Sequence, residues 1–133
     1  MKRQNKLFVY GTLRRDCKFR AINLEEYSLF LGYGKVKGRL YEVDNYPGVV
    51  LGGEKEVIGE LYEVFDFELF DILDRYEECS REYPPPTEYK RVVCKVKFNS
   101  KMVNAWVYEY NLDTSTLQLI ESGDYVEFKN GKV

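Results

Sequence analysis

One acidic residue lies on the apolar side of a helix that the sequence predicts. The segment DFELFDILDRYEE predicts an amphipathic helix over residues 66–78, with its apolar side chains on one stripe. At about 100° per residue, Glu77 falls on that stripe, between Leu73 and Phe70. Burial there would remove water from the carboxylate and raise its pKa into the range that suits a general base. Glu77 is therefore a candidate for moving a proton.

Two other interpretations of this helix stay open. Asp74 falls at the edge of the apolar stripe and is a rival for the inward-facing acid. Glu77 itself lies near the end of the helix, where an acidic side chain often reaches solvent or pairs with an arginine such as Arg91 or Arg75. The helix alone does not decide among these outcomes.

The stretch LFVYGTLRRDC predicts a first strand, over residues 6–13, that stops abruptly. Four apolar residues run into Gly11 and Thr12 before any charge occurs. Glycine leaves the backbone accessible, so amide groups near Gly11 and the Thr12 hydroxyl are candidates for binding something small. An ordinary tight turn is the alternative.

The sequence contains no histidine, and this excludes several kinds of chemistry. Imidazole bases, Ser-His and Cys-His nucleophile pairs and imidazole metal ligands are all ruled out. The three cysteines, Cys17, Cys79 and Cys94, are far apart and form no CxxC pair, which predicts free thiols in a reducing compartment. Proton transfer must therefore fall to Asp, Glu, Lys, Tyr or Cys.

Composition indicates one folded domain over residues 1–133, since 44% of the residues are hydrophobic and 16% are aromatic. The net charge of −2 provides no field that favours nucleic acid or anionic lipid. No apolar run approaches the roughly 18 residues of a membrane span, and the run after the basic N-terminus is too short for a signal peptide. We expect a cytoplasmic protein with no nucleic acid or membrane partner.

Alternating and turn patterns predict mostly strands. Strands are expected over residues 35–43, 49–51, 56–64 and 124–128, with turns at 44–48 and at Gly52-Gly53. The clearest hairpin joins 89–98 to 101–110 through Asn99-Ser100, and a short helix is expected over 19–30. A rigid loop is expected at the three prolines, 84–86. Strands with two helices and little βαβ rhythm predict an α+β fold, with a curved sheet or barrel whose mouth could be a pocket.

Short motifs that occur in order along the chain carry a resemblance to a known family. They are VYGTLR at the end of the first strand, LDRYE at the end of the helix, YKR at the start of a strand and AWVYEY in the next. Over about residues 7–111 the chain resembles the γ-glutamylcyclotransferase-like family, which includes γ-glutamylamine cyclotransferases and plant proteins induced by avirulence signals. SGDY, at Ser122–Tyr125, is similar to a common C-terminal signature of that family. The resemblance implies a small mixed β-barrel with flanking helices.

The resemblance also implies a reaction and the residues that perform it. The α-amine of a γ-glutamyl substrate attacks its own γ-carbonyl, which releases 5-oxoproline and an amine or amino acid. Glu77 would be the general base, and neither a cofactor nor a metal is implied. The residues implied in binding the substrate are Tyr10, Gly11, Thr12, Leu13 and, as a pocket tyrosine, Tyr89.

Two alternatives accompany this hypothesis. The same fold could serve as a non-catalytic module that binds a small molecule or interacts with a partner. A hydrolase that uses water in place of the substrate amine would share the site but release free glutamate.

Overall fold

Six β-strands and two α-helices make up the part of the chain that the computed structural model describes, residues 4–17, 20, 22–77 and 87–130. A single 3-10 turn, Leu24–Glu26, precedes the second strand. The strands are β1 (Lys6–Val9), β2 (Ser28–Glu42), β3 (Pro47–Val64), β4 (Tyr89–Phe98), β5 (Lys101–Tyr110) and β6 (Gln118–Leu119), and the helices are α1 (Glu68–Tyr76) and α2 (Tyr125–Asn130). None of the helices in the described ranges is long and apolar enough to cross a membrane.

The strand pairings close into a ring. β1 lies between β3, its antiparallel partner, and β5, which runs parallel to it. β3 also pairs with β2, β4 pairs with β5, and β2 meets β4 where Lys35 lies opposite Lys97. β6 extends β2 outside the ring. The predicted α+β class is confirmed, with a mixed sheet and few helices.

Two apolar clusters occupy opposite faces of the sheet, because successive side chains of a strand point to opposite sides. Leu7 and Val9 of β1 pack in one cluster, which also buries the inward side of α1. Phe8 and Tyr10 belong to the other cluster, which includes alternate residues of β2, β3 and β5. Helix α1 contributes Leu69, Phe70 and Leu73 to the first cluster, and the predicted apolar stripe is the buried face.

β2 and β3 are longer than predicted. The predicted strands 49–51 and 56–64 are parts of one strand, and Gly52-Gly53 is not a turn between them. Gly52 and Gly53 have φ of 109° and 81°, and the register between β2 and β3 shifts there. Residues 52–55 have no partner opposite in β2, so they form a bulge that lets β3 continue.

Two predicted elements near the ends of the chain are wrong. Only Leu24–Glu26 is helical in the described part of 19–30, since Ser28 already pairs with Val64 and begins β2; residues 19 and 21 lie outside the described residues. The predicted strand at 124–128 is helix α2, because the Asp124 carboxylate accepts a hydrogen bond from the Glu127 N–H (3.2 Å) and starts a helical turn.

The other differences concern boundaries. β1 ends at Val9, four residues before the predicted end of the first strand. Helix α1 runs from Glu68 to Tyr76, and the Asp66 carboxylate accepts a hydrogen bond from the Glu68 N–H at its start (3.1 Å). Strand β6 was not predicted at all. The three prolines and Cys79 lie outside the described residues.

Candidate active site

A small pocket opens where β1 ends. Its volume is about 40 Å3, room for about three water molecules. Every residue that the sequence predicted for the site lies at this pocket. Its lining consists of Phe8, Val9, Tyr10, Gly11, Thr12, Leu13, Tyr46, Pro47, Glu77, Tyr89 and Tyr108.

The chain after β1 turns tightly beside this pocket. The Arg14 N–H donates to the Gly11 carbonyl (3.0 Å), which closes a turn over residues 11–14. In the part of the chain that the structure describes, the N–H groups of Gly11, Thr12 and Leu13 donate to no protein acceptor. Three residues that line the pocket therefore carry backbone donors with no partner among the described residues, and such donors are available to an anionic or carbonyl oxygen.

Gly11 is required there by space. A Cβ at this position would lie 2.4 Å from Cγ and 2.8 Å from Cδ of the Pro47 ring. Pro47 begins β3, so the turn after β1 and the start of β3 approach more closely than any other residue type at position 11 permits. This close approach forms one wall of the pocket.

Glu77 reaches the pocket from the end of α1. Its backbone N–H donates to the Leu73 carbonyl (2.8 Å), which continues the helical hydrogen bonding one residue beyond Tyr76. Among the described residues, no side chain or amide hydrogen-bonds or forms an ion pair with the Glu77 carboxyl group. Burial, and then the negative charge of Glu88, raise the pKa of Glu77 to about 8.

Asp74, the rival acid, is engaged elsewhere. Its carboxylate accepts two hydrogen bonds from the Arg91 guanidinium (2.9 and 3.2 Å) and one from the Tyr108 hydroxyl (2.7 Å). The same guanidinium lies over the rings of Phe70 and Trp106, at 4.9 and 4.4 Å from their centroids. Arg91 therefore pairs with Asp74 and leaves Glu77 as the acid of the pocket.

Tyr10 and Tyr89 shape the pocket with their rings. The Tyr10 hydroxyl donates to the Tyr108 carbonyl (2.6 Å) and accepts from the Val49 N–H (3.2 Å). The Tyr89 hydroxyl donates to the Pro47 carbonyl (2.7 Å). Burial raises the pKa of both phenols. Because their protons are held by the main chain, these tyrosines act as walls rather than as acids.

Five lining residues were missed by the sequence reasoning, and two of them, Phe8 and Val9, belong to the predicted first strand. Tyr46 and Pro47 belong to the segment DNYPG, whose composition indicated only a turn. The Tyr46 hydroxyl donates to the Glu88 carboxylate, and this contact places a second acid near Glu77. Tyr108 lies in β5, where its alternation predicted only a strand residue. Within the described ranges, no group of three or more Cys, Asp or Glu side chains is arranged to hold a metal ion.

The chain is similar to known proteins over most of its length. A family model for gamma-glutamyl cyclotransferase, AIG2-like, matches residues 7–127. A putative gamma-glutamylcyclotransferase of Vibrio cholerae is 33% identical over 126 residues, which are 93% of this chain and 97% of that protein. The gamma-glutamylcyclotransferase family protein YtfP of Escherichia coli is 30% identical over 122 residues, 92% of this chain and 96% of its own. The crystal structure of an uncharacterized protein from Pyrococcus horikoshii is similar with a TM-score of 0.66 and 27% identity, over 95% of this chain and 93% of that one.

Proposed function

Because this chain belongs to the gamma-glutamyl cyclotransferase, AIG2-like family, we propose that it is an enzyme that cleaves a γ-glutamyl amide through the substrate's own α-amine. The products are 5-oxoproline and a free amine or amino acid, and Glu77 is the general base. One observation carries the proposal. A carboxyl group with a raised pKa lies in the same pocket as three backbone donors, and none of these groups has a hydrogen-bond partner among the described residues.

The reaction needs no nucleophile from the protein. Attack by the α-nitrogen on the γ-carbonyl carbon closes a five-membered ring within one molecule, so a pocket that holds the substrate folded supplies much of the rate. The carbon–nitrogen bond of the ring forms, and the amide bond to the leaving amine then breaks. The absence of histidine is no obstacle to this mechanism.

Proton transfer is the part assigned to Glu77. The carboxylate takes a proton from the α-ammonium, which frees the nitrogen lone pair for attack, and then delivers that proton to the departing nitrogen. The ring nitrogen releases a second proton, so the ammonium loses two in all and the basic leaving amine gains both. A pKa of about 8 is much closer to that of an ammonium group than the ordinary carboxyl value of 4.5, and this makes the first transfer less unfavourable.

Negative charge develops on the γ-carbonyl oxygen during the attack. The free N–H groups of Gly11, Thr12 and Leu13 are suited to stabilise that oxygen or to hold the substrate α-carboxylate. The Thr12 hydroxyl adds a donor beside them. The rings of Tyr10 and Tyr89 exclude water from the walls of the pocket, which strengthens such electrostatic contacts.

The test is an assay for 5-oxoproline with a panel of γ-glutamyl amino acids and γ-glutamylamines. We expect ring product from the wild type and a loss of at least about a hundredfold in Glu77→Gln. Asp71→Asn is the matched control, because Asp71 is an exposed acid of the same helix. We expect this variant to retain the wild-type rate.

Three results would contradict the proposal. Free glutamate in place of 5-oxoproline would identify a hydrolase. Ring product that survives in Glu77→Gln would remove Glu77 from the mechanism. No product from any member, with the panel confirmed on an active relative, would favour a binding module on the same fold.

A further inference from the structure

The turn that lines the pocket is fixed from its far side. Two consecutive peptide groups, which join Leu13 to Arg14 and Arg14 to Arg15, are hydrogen-bonded at both their carbonyl and their N–H. The Leu13 carbonyl accepts from Arg20 (2.7 Å) while the Arg14 N–H donates to the Gly11 carbonyl (3.0 Å). The Arg14 carbonyl accepts from the Cys17 N–H (3.0 Å) while the Arg15 N–H donates to Glu60 (2.7 Å).

Because the peptide unit is planar, these hydrogen bonds fix the orientation of the backbone next to the pocket. Each trans peptide directs its carbonyl and its N–H to opposite sides, so a peptide that is bonded at both ends cannot rotate. The fixed groups follow directly after the free N–H groups of Gly11, Thr12 and Leu13. The half of the turn that faces away from the substrate is therefore rigidly held, and the half that faces the pocket is left with open donors.

Glu60 supplies one of these fixed contacts from an unusual position. It lies in β3 between Val9 of β1 and Tyr33 of β2, and its side chain is 0% exposed. One carboxylate oxygen accepts both the Arg15 N–H (2.7 Å) and the Tyr62 hydroxyl (2.8 Å). The other oxygen has no hydrogen-bond partner among the described residues. Burying a carboxyl group in this way costs stability, so its presence is better explained by what it holds in place.

The second fixed contact leads back to the same carboxylate. The Tyr62 hydroxyl accepts from the Arg20 guanidinium (2.8 Å), and another nitrogen of that guanidinium donates to the Leu13 carbonyl (2.7 Å). Glu60 therefore reaches the turn by two routes: directly at Arg15, and through Tyr62 and Arg20 at Leu13. Both routes end within two residues of the free donors.

We propose that Glu60 is a positioning residue for the reaction, which keeps the N–H groups of Gly11, Thr12 and Leu13 directed into the pocket by holding the peptides that follow them. The inference rests on the proposed function for its catalytic consequence. Glu60 touches no reacting atom in this scheme. Its effect is on the geometry of the donors, which matter most in the transition state.

The experiment compares Glu60→Leu, which removes the acceptor, with Glu60→Gln, which keeps a carbonyl oxygen for Arg15 and Tyr62. For Glu60→Leu we expect kcat to fall by about tenfold to a hundredfold with KM changed by less than about threefold, because misplaced donors weaken transition-state binding. Glu60→Gln should stay within about threefold of the wild-type kcat. Tyr62→Phe, which removes only the hydroxyl, gives a second measurement if Glu60→Leu folds poorly; we expect a loss between those of the two Glu60 variants.

Rates are expressed per folded molecule, with the folded fraction measured by circular dichroism. If kcat per folded molecule in Glu60→Leu and Tyr62→Phe equals that of the wild type, the role is only structural and the proposal is overturned. Equal losses in Glu60→Gln and Glu60→Leu would also overturn it, because the retained acceptor would then be irrelevant.

Amide hydrogen exchange gives a readout that does not depend on activity. The Arg15 N–H should exchange slowly in the wild type and in Glu60→Gln, and at least about tenfold faster in Glu60→Leu. Unchanged exchange in Glu60→Leu would overturn the positioning role even if the enzyme is active. If the wild type converts no substrate, the proposed function fails, and the exchange rates still decide whether Glu60 fixes the turn.

Discussion

The Arg14 guanidinium donates to the Asp124 carboxylate at 2.9 Å, across 110 residues of sequence. This contact joins the motif at the end of β1 to the SGDY segment near α2. Arg14 is only 3% exposed, and Asp16 provides its other carboxylate at 2.7 Å. The SGDY segment therefore does not line the pocket itself. It holds Arg14, and thereby the turn over residues 11–14 that lines the pocket.

Removal of the Asp124 charge should destabilise the protein. In Asp124→Asn, Arg14 stays buried with one charged partner instead of two, and we expect the free energy of unfolding to fall by about 1–3 kcal/mol. The measurement is urea unfolding at neutral pH. Glu121→Gln is the control, because the pair between Lys55 and Glu121 is exposed and should contribute less than about 1 kcal/mol. Equal effects of the two substitutions would show that burial of Arg14 is not what matters.

The rate should depend on pH through Glu77. Only the ionised carboxylate can accept a proton, so kcat/KM, which reports groups of the free enzyme, should rise about tenfold per pH unit and level off above an apparent pKa of about 8. Asp71→Asn should show the same profile, and Glu77→Gln should lack this limb in its residual rate. A plateau that begins near pH 5 would contradict the assignment.

Stability should depend on pH through the same group, in the opposite sense to activity. The folded-state pKa of about 8 exceeds the ordinary value of 4.5, so between these values the folded protein holds a proton that the unfolded chain has released. As the pH rises from 4.5 to 8, the free energy of unfolding of the wild type should therefore fall relative to that of Glu77→Gln. The expected slope is at most about 1.4 kcal/mol per pH unit. Denaturant unfolding at pH 4.5, 6 and 8 tests this expectation. A difference between the two proteins that stays constant with pH would show that Glu77 is not desolvated.

Gly11→Ala should displace the turn. The added methyl group would lie 2.4 Å from the Pro47 ring, so either the turn or the start of β3 must move. We expect a loss of about 1–3 kcal/mol in stability and of at least about tenfold in kcat/KM. Unfolding and the 5-oxoproline assay measure the two effects.

The Pro47 ring offers a rescue of that variant. Pro47→Ala removes the two atoms that a Cβ at position 11 would meet first, Cγ and Cδ. The double variant Gly11→Ala/Pro47→Ala should therefore be more active than Gly11→Ala alone, and the two substitutions should be strongly non-additive. Simple additivity would mean that the cost of alanine at position 11 arises elsewhere.

The sequence pattern predicted the hairpin of β4 and β5 and the buried face of helix α1, because turn residues and apolar periodicity determine these elements locally. The hairpin of β4 and β5 has the predicted bounds, because two alternating runs flank Asn99 and Ser100, whose φ values of 49° and 64° suit a tight hairpin turn. Helix α1 buries the predicted stripe. Helix α2 was misjudged because five residues are too few to separate a strand from a helical turn, and the hydrogen bond to Asp124 decides the outcome.

The candidate site was predictable in part. Glu77 and the residues after β1 were singled out from the sequence, and the structure brings them to one pocket. Pro47 and Tyr108 come from separate strands whose alternation carries no sign of the pocket, although Tyr108 belongs to the motif AWVYEY that carries part of the family resemblance. Glu60 was missed for a different reason: it occupies a polar position in an alternating strand, which normally faces water. β3 is covered on both faces at that point, so the position is buried.

The span between Arg14 and Asp124 has a consequence for the order of events during synthesis. The turn after β1 leaves the ribosome early, yet one partner that holds it arrives more than a hundred residues later. Until the SGDY segment leaves the ribosome, Arg14 has no contact with Asp124. This contact also forms late in folding, because contacts between distant residues close a long loop and form after local ones. The turn that lines the candidate pocket is therefore fully held only after Asp124 has been synthesised, and a nascent chain that has not reached this residue should lack that support.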